Sequence, residues 1–371
     1  MADEAERRGD AATALDLMTR TPRHEPGRPL WRPWRVQYLS QFAMLGPMLP
    51  PWAYSRWVLA QAMQWLDQGF RSRTLSALQT AIDLRGGEHA LPGHDRVDTR
   101  ARVLDHDWAY RQIVLFELGK LERFCRIRAA ADLLVGADDM TAWARTPMDA
   151  FRLVERRPAA LTWQRVRDGD LLGTPNTGCA GMLWPGDAVL GRVTPTEGGQ
   201  LFESAPLPVP APVAERVARE PDSWIDALAE WDEYADAVPL TRPTEHDGLL
   251  VELPPRIWQN VVCDQTDTSI LRPVTPRALA RAAVELGRFL LEEFEPPDFR
   301  HLDTWACLAA ALVEPDVVRE LSEHTSADDR AVLHRLALVL AEPAASICRH
   351  LATGGLPRGG LIHRHPARRG A

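Results

Sequence analysis

The chain has 371 residues and a mass of 41.4 kDa, enough for two or three domains. Hydrophobic residues make up 45% of it and charged residues 25%, which excludes a largely disordered chain, a collagen-like chain and a coiled-coil rod. With 43 basic and 51 acidic residues the net charge is −8, so the molecule as a whole does not attract phosphate backbones.

Only Lys120 among the basic residues is lysine, which leaves almost no amine for Schiff-base chemistry or a phosphate-binding loop. The five cysteines, Cys125, Cys179, Cys263, Cys307 and Cys348, stand singly with no CxxC pair. That argues against a zinc ribbon or a dithiol site and suits a reducing cytoplasm. Met1 to Asp10 lacks the basic start and apolar run of a signal peptide. The apolar stretch Phe42 to Met63 is broken by Pro47, Pro50, Pro51 and Arg56 and does not read as a membrane helix. A cytoplasmic protein without membrane partner, metal or cofactor is expected.

Residues 1–145 read as helical. Ala2 to Arg20 carries GDAATAL at Gly9 to Leu15, with a small residue at a turn between two short helices. This segment resembles one hairpin of a tetratricopeptide repeat, in a single clear copy, where a stable array needs about three. A Pro- and Arg-rich linker, Thr21 to Pro33, leads to a Trp-rich region with Trp31, Trp34, Trp52, Trp57 and Trp65. Trp52 to Asp67 suits a helix with Pro51 in its first turn. Its tryptophans either pack in a core or line an aromatic binding groove through Trp52, Trp57 and Trp65. A loop spans Arg85 to Arg96, and helices are expected over Thr99–Gly119 and Lys120–Val135.

From Ala150 the pattern changes to short apolar runs: Phe151–Glu155, Leu161–Val166, Asp170–Thr174, Ala188–Val193 and Gln200–Ala205. The separators RDGD, PNTG, WPGD and TEGG are turn chemistry. Five strands near ten-residue spacing predict a small antiparallel barrel or curled sheet. Pro206 to Pro212 marks a boundary. An acidic helical stretch, Ala211 to Ala237, follows, then a linker to Gly248 and a strand-like run over Leu249–Arg256. Helices are predicted over Pro276–Glu293, Pro297–Leu312, Pro315–Glu323, Ala327–Leu340 and Pro343–Thr353, several opened by proline. The fold expected is α+β and mainly α-helical. A helical domain (1–145) precedes a small antiparallel β barrel-like domain (146–210), a helical domain (211–353) and a disordered basic tail (354–371).

Four segments carry a further resemblance: Arg111–Gly119 (RQIVLFELG), Trp143–Glu155 (WARTPMDAFRLVE), Trp184–Pro195 (WPGDAVLGRVTP) and Phe202–Pro210 (FESAPLPVP). The block from Trp108 to Pro210 resembles uncharacterised actinobacterial-type proteins that join helical segments to a small glycine-rich sheet. Some of these carry a cysteine-rich metal-binding tail, which this chain lacks. The resemblance implies the mixed fold and no activity.

Three groups of side chains could carry function. The loop GGEHALPGHD offers Glu88, His89, His94 and Asp95, and LDHDW adds Asp105, His106 and Asp107. Histidine and carboxylate are ligands of hydrolytic metal centres. The spacing departs from the HD-type phosphohydrolase pattern, and Asp105 and Asp107 also suit a helix N-terminus. Arg152, Arg156, Arg165 and Arg167, with Trp163, could line a sheet face that grips single-stranded nucleic acid, or could pair with Asp149, Glu155 and Asp168. EHDG at Glu245 to Gly248 reads as a turn, and Cys179 in TPNTGCAG as a structural thiol. No GxGxxG follows a strand, and GxxxxGK[ST], GxSxG and HExxH are absent. The leading expectation is a non-catalytic protein-interaction or scaffold protein with a protein partner. The alternatives are a nucleic-acid-associated regulator using the β domain and tail, and a metal-dependent hydrolase centred on residues 88–107.

Overall fold

A computed structural model describes residues 1–20, 31, 33–88, 96–181, 183–238, 240, 248–253, 255–266, 275–293 and 302–354. The chain opens with a helical hairpin, α1 (Ala2–Arg7) and α2 (Ala11–Arg20). Gly9 turns it at φ 78°, a left-handed conformation that favours glycine, and a Cβ there would lie 3.7 Å from Leu133. α3 (Pro33–Leu45) and α4 (Pro51–Gln64) follow. α1 is fastened to both by one buried carboxylate. Glu6 accepts from Arg35 Nε at 2.9 Å and from Trp57 Nε1 at 3.3 Å, and its carbonyl accepts from Gln61 at 3.0 Å. Burial raises the Glu6 pKa, and the Arg35 guanidinium opposes that rise.

α5 (Arg71–Leu84), α6 (Arg96–His106) and α7 (Trp108–Gln112) form the next layer. The helix expected over Thr99–Gly119 is broken. Asp107 leaves the helical conformation and its carboxylate accepts from the Tyr110 N–H at 2.7 Å, restarting the helix as an N-cap. A π-helical turn, Ile113–Glu117, then widens the chain. α8 (Lys120–Ile127), α9 (Ala131–Gly136) and α10 (Met140–Ala144) complete the segment. Lys120 donates to the Met63 carbonyl at 3.1 Å, satisfying an orphan acceptor in the last turn of α4.

The β region contains seven strands: β1 (Asp149–Arg156), β2 (Ala160–Arg165), β3 (Leu171–Pro175), β4 (Ala188–Gly191), β5 (Val193–Thr196), β6 (Gly199–Phe202) and β7 (Leu207–Val209). Five make an antiparallel sheet of order β3-β2-β1-β4-β7, and β5 pairs with β6 alone. The register sets Leu153 opposite Trp163 and Trp163 opposite Leu172. These residues share one face with Phe151 and Val189, on which Phe202 packs edge-on against Phe151 and Trp163. The barrel-like expectation needs correction, because the sheet does not close. The β5–β6 hairpin lies near β3 without joining its ladder. Pro175, Pro195 and Pro208 sit in β3, β5 and β7, and each withholds a backbone donor that a closed ladder requires. The stretch read as a boundary, Pro206 to Pro212, contains β7.

The acidic stretch breaks into α11 (Ala211–Arg219), α12 (Trp224–Ala229) and α13 (Tyr234–Ala237). α14 (Pro255–Thr266) begins within a run read as strand-like. α15 (Pro276–Glu292), α16 (Leu302–Leu312), α17 (Pro315–His324), α18 (Ala327–Leu336) and α19 (Ala344–Ala352) follow the predicted order. The fold is therefore α+β and mainly helical. One apolar cluster joins the early helices to the late ones, with Phe42, Trp57, Trp258, Trp305 and Leu351 among its members. A second packs α5, α7 and α11 to α13 on the Ala150, Leu190 and Leu207 face of the sheet. Among the described residues no helix is long and apolar enough to cross a membrane. The tail beyond Gly354 and residues 241–247, including most of EHDG, lie outside the described residues.

Candidate functional site

The densest cluster of chemistry-bearing side chains surrounds the π-helical turn. Gln112 donates to a carboxylate oxygen of Glu203, and Ser204 Oγ donates to the same oxygen. Arg192 donates to Gln112 Oε1 at 3.0 Å, to the Thr146 carbonyl at 2.6 Å and to Glu117. Trp224 Nε1 donates to the same Glu117 oxygen at 3.0 Å, and the Arg192 guanidinium lies 4.5 Å from the Phe116 ring centroid. Burial lowers the Arg192 pKa while Glu117 opposes the change. Glu203 is 1% exposed, and its Oε2 has no hydrogen-bond partner. Arg111 Nη2 stands 3.7 Å away. Two carboxylates, a hydroxyl and two guanidiniums meet here, the raw materials of acid–base chemistry. Their bonds, however, are spent joining α7, the turn before β1, the β4–β5 junction, the end of β6 and α12.

Two smaller clusters follow the same rule. Arg85 and Asp107 are both buried, with Arg85 Nε 2.6 Å from Asp107 Oδ2. Arg85 also donates to the Val238 carbonyl at 2.6 Å and lies over the Tyr234 ring at 5.4 Å. Burial raises the Asp107 pKa against the pull of Arg85, and burial with the Asp107 charge raises that of Tyr234. In the third cluster Arg56 Nη2 lies 2.5 Å from Glu252 Oε1 and donates to the Phe202 carbonyl at 2.8 Å. Arg56 Nη1 donates to the Leu249 carbonyl at 3.2 Å. Thr177 Oγ1 donates to the other Glu252 oxygen at 2.6 Å. Burial and the neighbouring Glu252 carboxylate push the Cys179 thiol well up, which disfavours the nucleophilic thiolate.

The residues singled out from sequence are dispersed. Glu88 pairs with Arg96 at 2.6 Å and Arg100 at 3.1 Å, at the start of α6, whereas Asp107 and His106 stand at the far end. The two carboxylates are engaged by different guanidiniums, Glu88 by Arg96 and Arg100 and Asp107 by Arg85. His89, His94 and Asp95 lie outside the described residues. Among the described residues no three metal-ligating side chains come together.

The tryptophan and arginine groups need correction as surface contacts. Trp57 is fully buried and Trp52 is 5% exposed, because each fills the helical core; Trp65 is half-buried against Phe124. Trp163 is fully buried and donates to Thr174 Oγ1 at 3.0 Å, so it cannot stack on a base. Arg156 is buried and donates to the Ala180 and Leu183 carbonyls at 2.7 and 2.8 Å. Arg165 and Arg167 pair with Asp149, and Arg165 also with Asp168 and Asp170. Of this group Arg152 alone faces the open part of the sheet, opposite Gln164.

Sequence reading did not single out Gln112, Glu117, Arg192, Glu203, Arg56 or Glu252. A signal existed for Arg192 and Glu203, which are charges of opposite sign inside apolar strand-like runs. A burial-pattern reading would have asked what pairs with each.

No family model, no curated protein and no solved structure matches the chain.

Proposed function

We propose that the protein is a non-catalytic interaction protein and that its partner contacts the uncovered half of the main sheet. One observation carries this reading. α11 seals the β1–β4–β7 part of one sheet face, where Ala150, Ala188, Leu190 and Leu207 are buried. The register continues that face onto β2 and β3 through Arg152, Thr162, Gln164, Leu171 and Gly173. There Leu171 is 66% exposed and, beside the β-bulge of β1, Val154 is 43% exposed. Apolar side chains flanking polar ones on an open sheet face suit a protein partner with an apolar ridge and an acid opposite Arg152. The three polar clusters support the reading from the other side, since their ionic groups are engaged in internal bonds.

The test is affinity capture with the full chain beside Leu171→Asp and Arg152→Glu forms of equal thermal stability. A stoichiometric partner held by the parent chain and lost by both variants is expected. Equal recovery by all three, or no partner above background, refutes the assignment.

A further inference from the structure

A groove of about 640 Å³ runs along α15 from its N-terminus to Phe289, facing the last turn of α14. Thr266 of α14 and Arg277, Ala278, Arg281, Ala282 and Phe289 of α15 line it. Arg277 and Arg281 are one turn apart, so their stems rise from one flank of the helix about 6 Å from each other. Both are exposed, and among the described residues neither forms an ion pair or a side-chain hydrogen bond. Arg35, Arg56, Arg85, Arg123, Arg165 and Arg192, by contrast, are each paired with an acid.

The local field deepens the imbalance. α15 is 17 residues long and has no acidic residue in its first turn. The positive end of its dipole therefore lies beside two cations, an arrangement that repels rather than stabilises. Glu285, also on the groove, turns to Arg288 at 3.7 Å. Ala278, Ala282 and Phe289 supply the apolar part of the lining, beside the polar Gln265, Thr266 and Thr275, and offer an organic body an apolar strip to lie on. Two guanidiniums match a doubly charged phosphate better than a single carboxylate, because each can present a pair of N–H donors to its oxygens.

We propose that this groove binds a small phosphate monoester with an apolar body, the phosphate between Arg277 and Arg281 and the body along Ala278 and Ala282 toward Phe289. The site is separate from the sheet face assigned to a protein partner, so the two can fail independently. Calorimetry and thermal denaturation of the full chain with phenyl phosphate, inorganic phosphate and benzoate test it. Phenyl phosphate should bind and raise Tm, with inorganic phosphate and benzoate at least tenfold weaker. Arg277→Glu combined with Arg281→Glu should remove binding while leaving the unliganded Tm unchanged, since both side chains are solvent-exposed. If that double variant does not fold, Arg281→Gln alone should weaken phenyl phosphate at least tenfold. No binding at millimolar phenyl phosphate overturns the proposal. So does equal binding of either comparison anion, or binding that survives loss of the arginine charges.

Discussion

Replacing Arg56 with methionine isolates the energetic role of a buried pair. Methionine keeps most of the apolar stem and removes the cation. Glu252 would then keep only the Thr177 hydroxyl and the neighbouring thiol of Cys179 around a side chain that is 1% exposed. The Phe202 and Leu249 carbonyls would each lose a donor. Breaking one side of a buried ion pair costs about 3–5 kcal/mol, most of it the penalty of the stranded charge. Equilibrium denaturation in urea should show that loss in Arg56→Met. The decisive comparison is Arg56→Met with Glu252→Leu, which removes both charges. It should recover most of the stability, ending within about 2 kcal/mol of the parent chain. A double variant as unstable as the single one would refute the reasoning. The cost would then come from lost packing or from the two carbonyls, not from the charge left behind.

Glu314, at the N-terminus of α17 and near Gln37 at 3.5 Å, has its pKa raised from 4.5 to about 7 by burial and by Asp316. A carboxylate raised in this way penalises the fold once it ionises. Stability should fall as pH climbs from about 4.5 to about 7, by at most ~3 kcal/mol, and Glu314→Gln should abolish that part of the pH profile. Lys120, 5% exposed and with its pKa pushed down to about 8 by burial, is the chain's one ε-amine. Acylation followed by mass mapping should modify the exposed amino terminus of the native protein and reach Lys120 only after denaturation. Gly181→Ala places a Cβ 2.6 Å from Leu253 Cδ2, so its urea midpoint should drop by the equivalent of ~1–3 kcal/mol, and Leu253→Ala in the same chain should relieve the clash. Burial raises the thiols of Cys125 and Cys348 to about 12 and pushes that of Cys179 well above its ordinary value. A thiol reagent should react with them slowly in the native protein and rapidly in denaturant.

Local chemistry made much of the fold readable. Gly9 marked the first hairpin turn, Pro51, Pro276 and Pro315 opened helices, and the RDGD and TEGG turns separated strands that the structure places at 149–202. The errors came where a local signal was overruled from a distance. The helix read over Thr99–Gly119 breaks at Asp107, whose carboxylate caps the Tyr110 N–H, as its reading at a helix N-terminus allows, and meets Arg85 22 residues earlier. Pro206 to Pro212 reads as a boundary because proline alternates with apolar residues along it. Leu207 and Val209 nevertheless bury against β4 and turn that stretch into a strand. Leu249 to Arg256 reads as strand-like by apolar content at its start. It enters no ladder because Arg56 and Thr177 hold its Leu249 carbonyl, Glu252 N–H and Glu252 carboxylate.

The candidate sites were less legible for a related reason. The bonds that define them span long stretches of chain: Arg56 to Glu252 covers 196 residues, Gln112 to Glu203 covers 91 and Arg192 to Glu117 covers 75. A motif search looks for ligands or nucleophiles a few residues apart, and here such neighbours were drawn into separate environments, as Glu88 and Asp107 were. Hydrophobic burial alone would let these segments slide against one another at small cost, because apolar contact is not directional. A charged group that must meet one particular partner does not allow that slip. The three buried networks lie at the seams where helices, sheet and extended segments meet, and that position accounts for ionic side chains being kept in a core that apolar residues of similar size could have filled.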